Sequence, residues 1–239
     1  MKVKHCAFLV AILVLAGCHH YKKVPKSNVV YIQIGDSITF GSRNNGGNSP
    51  GDFAVRALAT PTTYMRLGWA AESAIQFMQR RQKQLLDSLR TIPAGQRVIL
   101  GIAYGTNDLP QTEPRQVLAN ILRVAHWARD TAHVAEVLII PVMNRKDKWG
   151  FTRHADGTIV YQFNEARLWL NKELHARAHT LSGVKVADEV YSPAMYAESY
   201  PDDTVRCADK VHPWDQGAKE LGEGTIAHGI ASFDKMEVR

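Results

Sequence analysis

The sequence predicts one α/β unit, a parallel sheet with helices on both faces and a flavodoxin-like layer order. Three observations point there. Short apolar, β-branched runs alternate with longer stretches of helical periodicity, the pattern of strand–helix–strand units. The apolar runs are nearly continuous, as expected of strands buried on both faces. The 239 residues are 45% hydrophobic and 22% charged, proportions of a folded domain and unlike those of disordered or low-complexity chains.

In chain order, residues 28–34 (NVVYIQI) read as the first strand, ending at Gly35. A marginal strand is expected at 64–67. Residues 69–90 place Ile75, Met78, Leu85, Leu86 and Leu89 near one helical face. The run 97–103 (RVILGIA) is a strand ending before Gly105. Residues 113–130 form a helix with Val117, Leu118, Ile121, Val124, Ala125 and Ala128 as its apolar stripe. Thr112 is its expected N-cap, and Pro114 is tolerated in the first turn. A strand at 135–142, a helix at 162–180 built on Phe163, Ala166, Leu170 and Leu174, and a short strand at 184–187 complete the pattern. Residues 29–239 are thus expected to be one domain.

The amino terminus has a different composition. Lys2 and Lys4 precede an apolar run from Cys6 to Gly17. That run is too short to span a bilayer, which needs about 20 apolar residues, and it suits a secretory signal. It ends in Leu15-Ala16-Gly17-Cys18, which resembles the lipobox of bacterial lipoproteins. The expectation is a signal peptide at 1–17 and an exported protein held on a membrane of the cell envelope by acyl chains on Cys18. A polar tether follows through residue 28. The alternative is an ordinary signal peptide with an incidental Cys. Of the three cysteines only Cys207 would then remain unmodified, so no internal disulfide is expected, and Cys207 reads as a buried structural thiol. Lys plus Arg exceeds Asp plus Glu, 29 to 23, but the basic residues are scattered, and no nucleic-acid partner is expected.

Ligands of such sheets bind beyond the carboxyl ends of the strands. The residues just past each strand are therefore the candidates for chemistry. They are Gly35-Asp36-Ser37-Ile38-Thr39-Phe40-Gly41, then Tyr104-Gly105-Thr106-Asn107-Asp108, and near the carboxyl end Asp209-Lys210-Val211-His212-Pro213. A serine hydroxyl needs a base within hydrogen-bond reach, and the base needs a third group to fix its tautomer. His212 suits the first task. Asp209, three residues earlier, can reach its Nδ1 from a tight turn or a helical first turn, leaving Nε2 for Ser37. Acyl transfer also needs donors for the developing oxyanion. Asn107 offers its side-chain amide and Ser37 its own N–H. Taken singly, Ser37 reads as a helix cap, Asn107 and Asp108 as turn formers, and Asp209 with His212 as a surface pair. Their joint occurrence at one sheet edge favours the chemistry.

GDSITFG, GTND and DKVHP, in that order, resemble blocks I, III and V of the SGNH (GDSL) hydrolase family and span nearly all of the domain. The resemblance implies a three-layer α/β/α sandwich and a serine esterase mechanism with no metal or organic cofactor. It implies Ser37 as nucleophile, His212 as base, Asp209 as its orienter and Asn107 as an oxyanion donor. One block departs from the pattern. The family has a Gly whose backbone N–H joins the oxyanion hole, and Ala71 aligns with it in Arg66-Leu67-Gly68-Trp69-Ala70-Ala71-Glu72-Ser73. Ala71 is favoured as donor, on the expectation that it begins a helix; Gly68 is the alternative.

Other features carry less. His175 and His179 stand i, i+4 on a predicted helix, but with no HExxH pattern and no Cys partner they read as a solvated face. The stretch 41–51 (GSRNNGGNSPG) lacks the ending of a phosphate loop and reads as a flexible loop beside the site. Residues 144–158, basic around Trp149 and Phe151, also fall on the rim, where their aromatics are candidates to line a sugar or acyl pocket. The expected function is hydrolysis of a small-molecule, glycan or lipid ester by a monomer that meets the membrane through Cys18. An O-acetylesterase acting on glycans and a lysophospholipase or thioesterase both fit, and the lack of a large apolar lid favours short acyl groups. The rival is a non-catalytic surface lipoprotein that keeps the fold as a binding module, a reading motivated by Ala71.

Overall fold

Residues 29 to 35 are all buried, because β1 (Val29–Gly35) runs through the interior of a sheet covered on both faces. The computed structural model describes residues 28–44, 47–146, 162–233 and 236–239. The expected signal peptide, Cys18, the tether up to residue 27, Trp149 and Phe151 lie outside the described residues. After β1 come α1 (Ser37–Phe40), α2 (Pro50–Ala57), β2 (Thr62–Gly68), α3 (Ala74–Arg80), α4 (Gln82–Arg90), β3 (Arg97–Ala103) and α5 (Pro114–Asp130). Then follow β4 (Glu136–Ile139), α6 (Phe163–Ala178), β5 (Val184–Val186), α7 (Pro193–Tyr196), α8 (Asp215–Leu221) and α9 (Ala227–Ala231). A π-helical turn, Gly222–Ile226, joins the last two.

The strands pair in the order β2-β1-β3-β4-β5, and each pair is parallel. Side chains alternate across the sheet, which separates two cores. Val30, Ile32 and Ile34 of β1, with Leu100 and Ile102 of β3, meet Phe77, Leu85, Val117, Ile121 and Leu170 from the helices α3 to α6. Val29, Tyr31, Ile99 and Leu138 meet Ala54, Met195, Leu221 and Ile230 from α2, α7, α8 and α9. The result is the expected three-layer α/β/α sandwich. The chain leaves β1 for β2 on one side and returns to β3 on the other. The carboxyl ends of β1 and β3 therefore flank the switch point where such sheets take ligands.

Several sequence expectations shift. The marginal strand at 64–67 is the seven-residue β2. Its TTYMRLG sequence is half polar because it is an edge strand, only partly buried. The strand expected at 135–142 keeps ladder pairing only over Glu136–Ile139. The helix expected at 69–90 starts at Ala74, where Ser73 and Gln76 form a capping box, and breaks at Arg81. Thr112 is not the cap of α5. Glu113 holds that place, without a side-chain cap, ahead of Pro114. Part of the loop expected at 41–51 is the start of α2, where Ser49 and Asp52 build another capping box.

Candidate active site

Ser37 is the first residue of α1, immediately beyond β1. Asp36 caps that helix by accepting from Ile38 N at 2.9 Å. Gly41, in the left-handed region at φ 83°, ends it one turn later. Cap and stop confine the serine to a short, sharply bounded helix at the sheet rim. Ser37 Oγ lies 2.8 Å from His212 Nε2.

His212 stands in a tight turn between the middle of the carboxyl-terminal region and α8. An antiparallel bridge between Cys207 and Pro213 closes the turn, and Ala208 N donates to His212 O at 2.7 Å. Asp209 accepts from His212 N at 2.9 Å and from Val211 N at 3.3 Å. Both of its carboxylate oxygens lie 3.0 Å from His212 Nδ1. One carboxylate thus shapes the turn and faces the imidazole. Lys210 sits at φ 72°, so the spacing of three is achieved by a left-handed turn and not by a helix. Gly217 is needed behind it: a Cβ there would come within 2.3 Å of Arg206 O.

Asn107 follows β3, and its Nδ2 donates to Glu72 O at 3.1 Å and points toward Asp36 Oδ2 at 3.5 Å. Asp108 does not merely form a turn. Buried at 3% exposure, it accepts from Gly105 N at 3.1 Å and from Ala74 N at 3.0 Å, tying the Asn107 loop to the start of α3. Ala71 precedes Glu72 in a turn, closed by Glu72 N to Trp69 O at 3.2 Å, and has φ 60°. The expectation that it begins a helix is corrected: α3 starts three residues later. An alanine held left-handed costs about 1–2 kcal/mol, so the turn survives the departure from Gly. Gly68, the alternative donor, is the buried end of β2. A Cβ there would fall 2.4 Å from Phe40 N and 2.7 Å from Thr39 C, so a glycine is required for the close approach of α1.

The carboxylates of the site differ in charge. Partial burial opposes ionisation of Asp209, but hydrogen bonds from the His212 backbone and ring and from Arg43 outweigh it and hold the group below the usual carboxylate range. Asp36 is pushed up to about 7, mainly by burial and further by Asp108, against the bond from Ile38 N and the charge of Arg145. Burial likewise raises Asp108 to about 6.

The structure brings Ser37, His212, Asp209 and Asn107 to one rim and sets Ala71 beside the carbonyl that holds Asn107. His175 pairs with Glu189 at 2.8 Å on an exposed face. Cys207 is a buried free thiol. Among the described residues no group of three or more His, Cys, Asp or Glu side chains is placed to hold a metal ion. Three further residues support the site. Arg43 donates to Asp209 Oδ2 at 3.1 Å from 166 positions away. Arg145 Nη1 donates to Thr106 O at 2.8 Å, beside Asn107. Glu72 is buried at 5% exposure. No local pattern signals any of these, because each role arises from a distant contact.

A parallel α/β sheet with this constellation at its switch point defines an ester-hydrolysing enzyme of the α/β class. The family is specific: the chain belongs to the GDSL-like lipase/acylhydrolase family, whose model matches residues 34–220. No curated protein sequence matches it. Among solved structures, a member of the lipolytic protein G-D-S-L family from Veillonella parvula is similar at TM-score 0.58 and 16% identity, over 87% of this chain and 98% of that one. A GDSL-like lipase from Bacteroides thetaiotaomicron gives 0.59 and 18%, over 87% and 90%. A carbohydrate acetylesterase from Sinorhizobium meliloti gives 0.59 and 13%, over 85% and 99%. At these identities the likeness is one of fold.

Proposed function

We propose that the protein is a serine esterase working through an acyl-Ser37 intermediate. The observation that carries this reading is the hydrogen-bonded series from Ser37 Oγ to His212 Nε2 at 2.8 Å, continued from Nδ1 to Asp209 at 3.0 Å. His212 takes the serine proton as Oγ attacks the ester carbonyl, then returns it to the leaving alcohol. Water, activated by the same imidazole, releases the acyl group. Asp209 accepts from Nδ1–H, which fixes the tautomer and stabilises the imidazolium. The N–H groups of Ser37 and Ala71 and the Asn107 amide hold the oxyanion.

The substrate we assign is an ester of a short acyl group, with an O-acetylated glycan ahead of a lysophospholipid or thioester. The carbohydrate acetylesterase among the structural neighbours is consistent with it. We further propose that the protein is exported and anchored through Cys18, on the strength of Lys2, Lys4, the apolar run and Leu15-Ala16-Gly17-Cys18. Metabolic labelling with palmitate is expected in the wild type and lost in Cys18→Ala; equal labelling of both would contradict the anchor. For the chemistry, p-nitrophenyl acetate is expected to be cleaved faster than the palmitate ester. Ser37→Ala should lower kcat by about a thousandfold or more while circular dichroism is unchanged. Wild-type turnover by that variant would remove the mechanism.

A further inference from the structure

We propose that Glu72 is a positioning residue for the oxyanion hole, holding Ala71 in a conformation that a glycine would adopt unaided; the inference rests on the esterase reading above. The turn Trp69–Glu72 carries Ala71 at φ 60°, and each end of it is tied down. At the first end, Trp69 N donates to Gly35 O at 2.9 Å, next to Asp36 and Ser37. At the other, Glu72 is engaged three times. Its carbonyl accepts from Asn107 Nδ2 at 3.1 Å. Its carboxylate accepts from Tyr104 Oη at 2.9 Å and from Arg81 Nε at 3.2 Å. The Arg81 guanidinium also lies 3.5 Å from the centre of the Trp69 ring, so one side chain links both ends of the turn.

These contacts explain other features of the region. The helical pattern running through 69–90 is interrupted at Arg81, the residue whose side chain reaches back to Glu72 and Trp69. Tyr104, buried at 2% exposure just past β3, needs a partner for its hydroxyl, and Glu72 supplies it. Two donors, one a guanidinium and one a hydroxyl, restrict the buried Glu72 carboxylate to one orientation. With the Glu72 side chain and carbonyl held, and its N–H, in the peptide that joins it to Ala71, donating to Trp69 O at 3.2 Å, the φ and ψ of Ala71 are set, and with them the direction of the Ala71 N–H in the preceding peptide. Glu72 acts on the reaction through Ala71 and Asn107 and does not itself meet the reacting atoms.

The test combines Glu72→Gln with Ala71→Gly and reads both turnover and structure. In Glu72→Gln we expect kcat for an acetyl ester to fall about tenfold with KM little changed, since a small displacement of a catalytic group is costly. A crystal structure of the variant should show residue 71 outside the left-handed region. Adding Ala71→Gly should restore kcat to within about threefold of wild type, because glycine reaches that conformation without the brace. Tyr104→Phe, which keeps the ring and loses one bond, should fall by a smaller factor and serves if Glu72→Gln does not fold. Wild-type kcat in both Glu72→Gln and Tyr104→Phe, no rescue by Ala71→Gly, or an unmoved residue 71 would overturn the proposal. If the wild type turned over no ester, the esterase reading would fail, and the conformation at 71 in the variants would still decide this one.

Discussion

The two halves of the site are both built on a turn that holds a non-glycine residue left-handed, yet they are braced in opposite ways. Asp209–His212, with Lys210 at φ 72°, is organised by its own side chain: Asp209 bonds two backbone amides of the turn and the ring it orients. It is partly open to solvent, with Arg43 and the backbone bond from Lys146 N to Lys210 O as its outside support. Trp69–Glu72, with Ala71 at φ 60°, has no such local carboxylate-to-amide bond and is held by Tyr104, Arg81 and Asn107 from other elements. A turn that caps itself needs its own few residues in order. A turn braced from outside needs the whole fold first.

Removing the self-capping residue should therefore do the most damage. Asp209→Ala deletes the cap and the orienter together, and kcat should fall roughly a thousandfold. A loss under about tenfold would show that the turn holds His212 without its carboxylate. Glu72→Gln, at about tenfold, is the corresponding lesion on the braced side. A larger loss in Glu72→Gln than in Asp209→Ala would show that the braced turn, not the self-capping one, carries more of the catalysis.

The smallest effect is on stability and separates the carboxylates by sign. Asp36, near 7 in the folded protein against 3.8 for the free group, binds its proton more tightly when folded. Its stabilising contribution is complete below about pH 4 and is lost as pH rises through about 7. Asp36→Asn keeps a cap acceptor and removes that loss, so its Tm should exceed that of wild type at pH 8, by roughly 3–8 °C, with the gap closing toward pH 4. Asp209 has the opposite sign. Its folded value lies below the ordinary one, so its contribution is present at neutral pH and lost on acidification. A Tm difference for Asp36→Asn that ignores pH would show that the carboxyl is not suppressed by burial.

The legibility of the sequence follows the same division. β1, β3 and α5 stand out because their apolar periodicity is continuous. Ser37 and Asn107 stand out because each follows a recognisable strand in a short motif, and Asp209 and His212 because their own short motif carries the spacing. β2 is nearly invisible, since an edge strand needs no apolar face on its open side. Residues 69–90 look like one helix because the apolar spacing of Ile75, Met78, Leu85 and Leu89 carries no trace of the tie from Arg81 to Glu72. The segments α7, α8 and α9 are too short for a period to register. Glu72, Arg43 and Arg145 look like ordinary charged residues, and only their distant partners give them work in the site.

Every step of the proposed reaction requires that His212 activate Ser37. The most direct measurement is intact-protein mass spectrometry after exposure to a fluorophosphonate, with the modified peptide sequenced. One adduct, on Ser37, is expected in the folded wild type and none over the same time in His212→Ala. An unmodified wild type, or a His212→Ala variant labelled at Ser37 at the same rate, would contradict activation of Ser37 by His212.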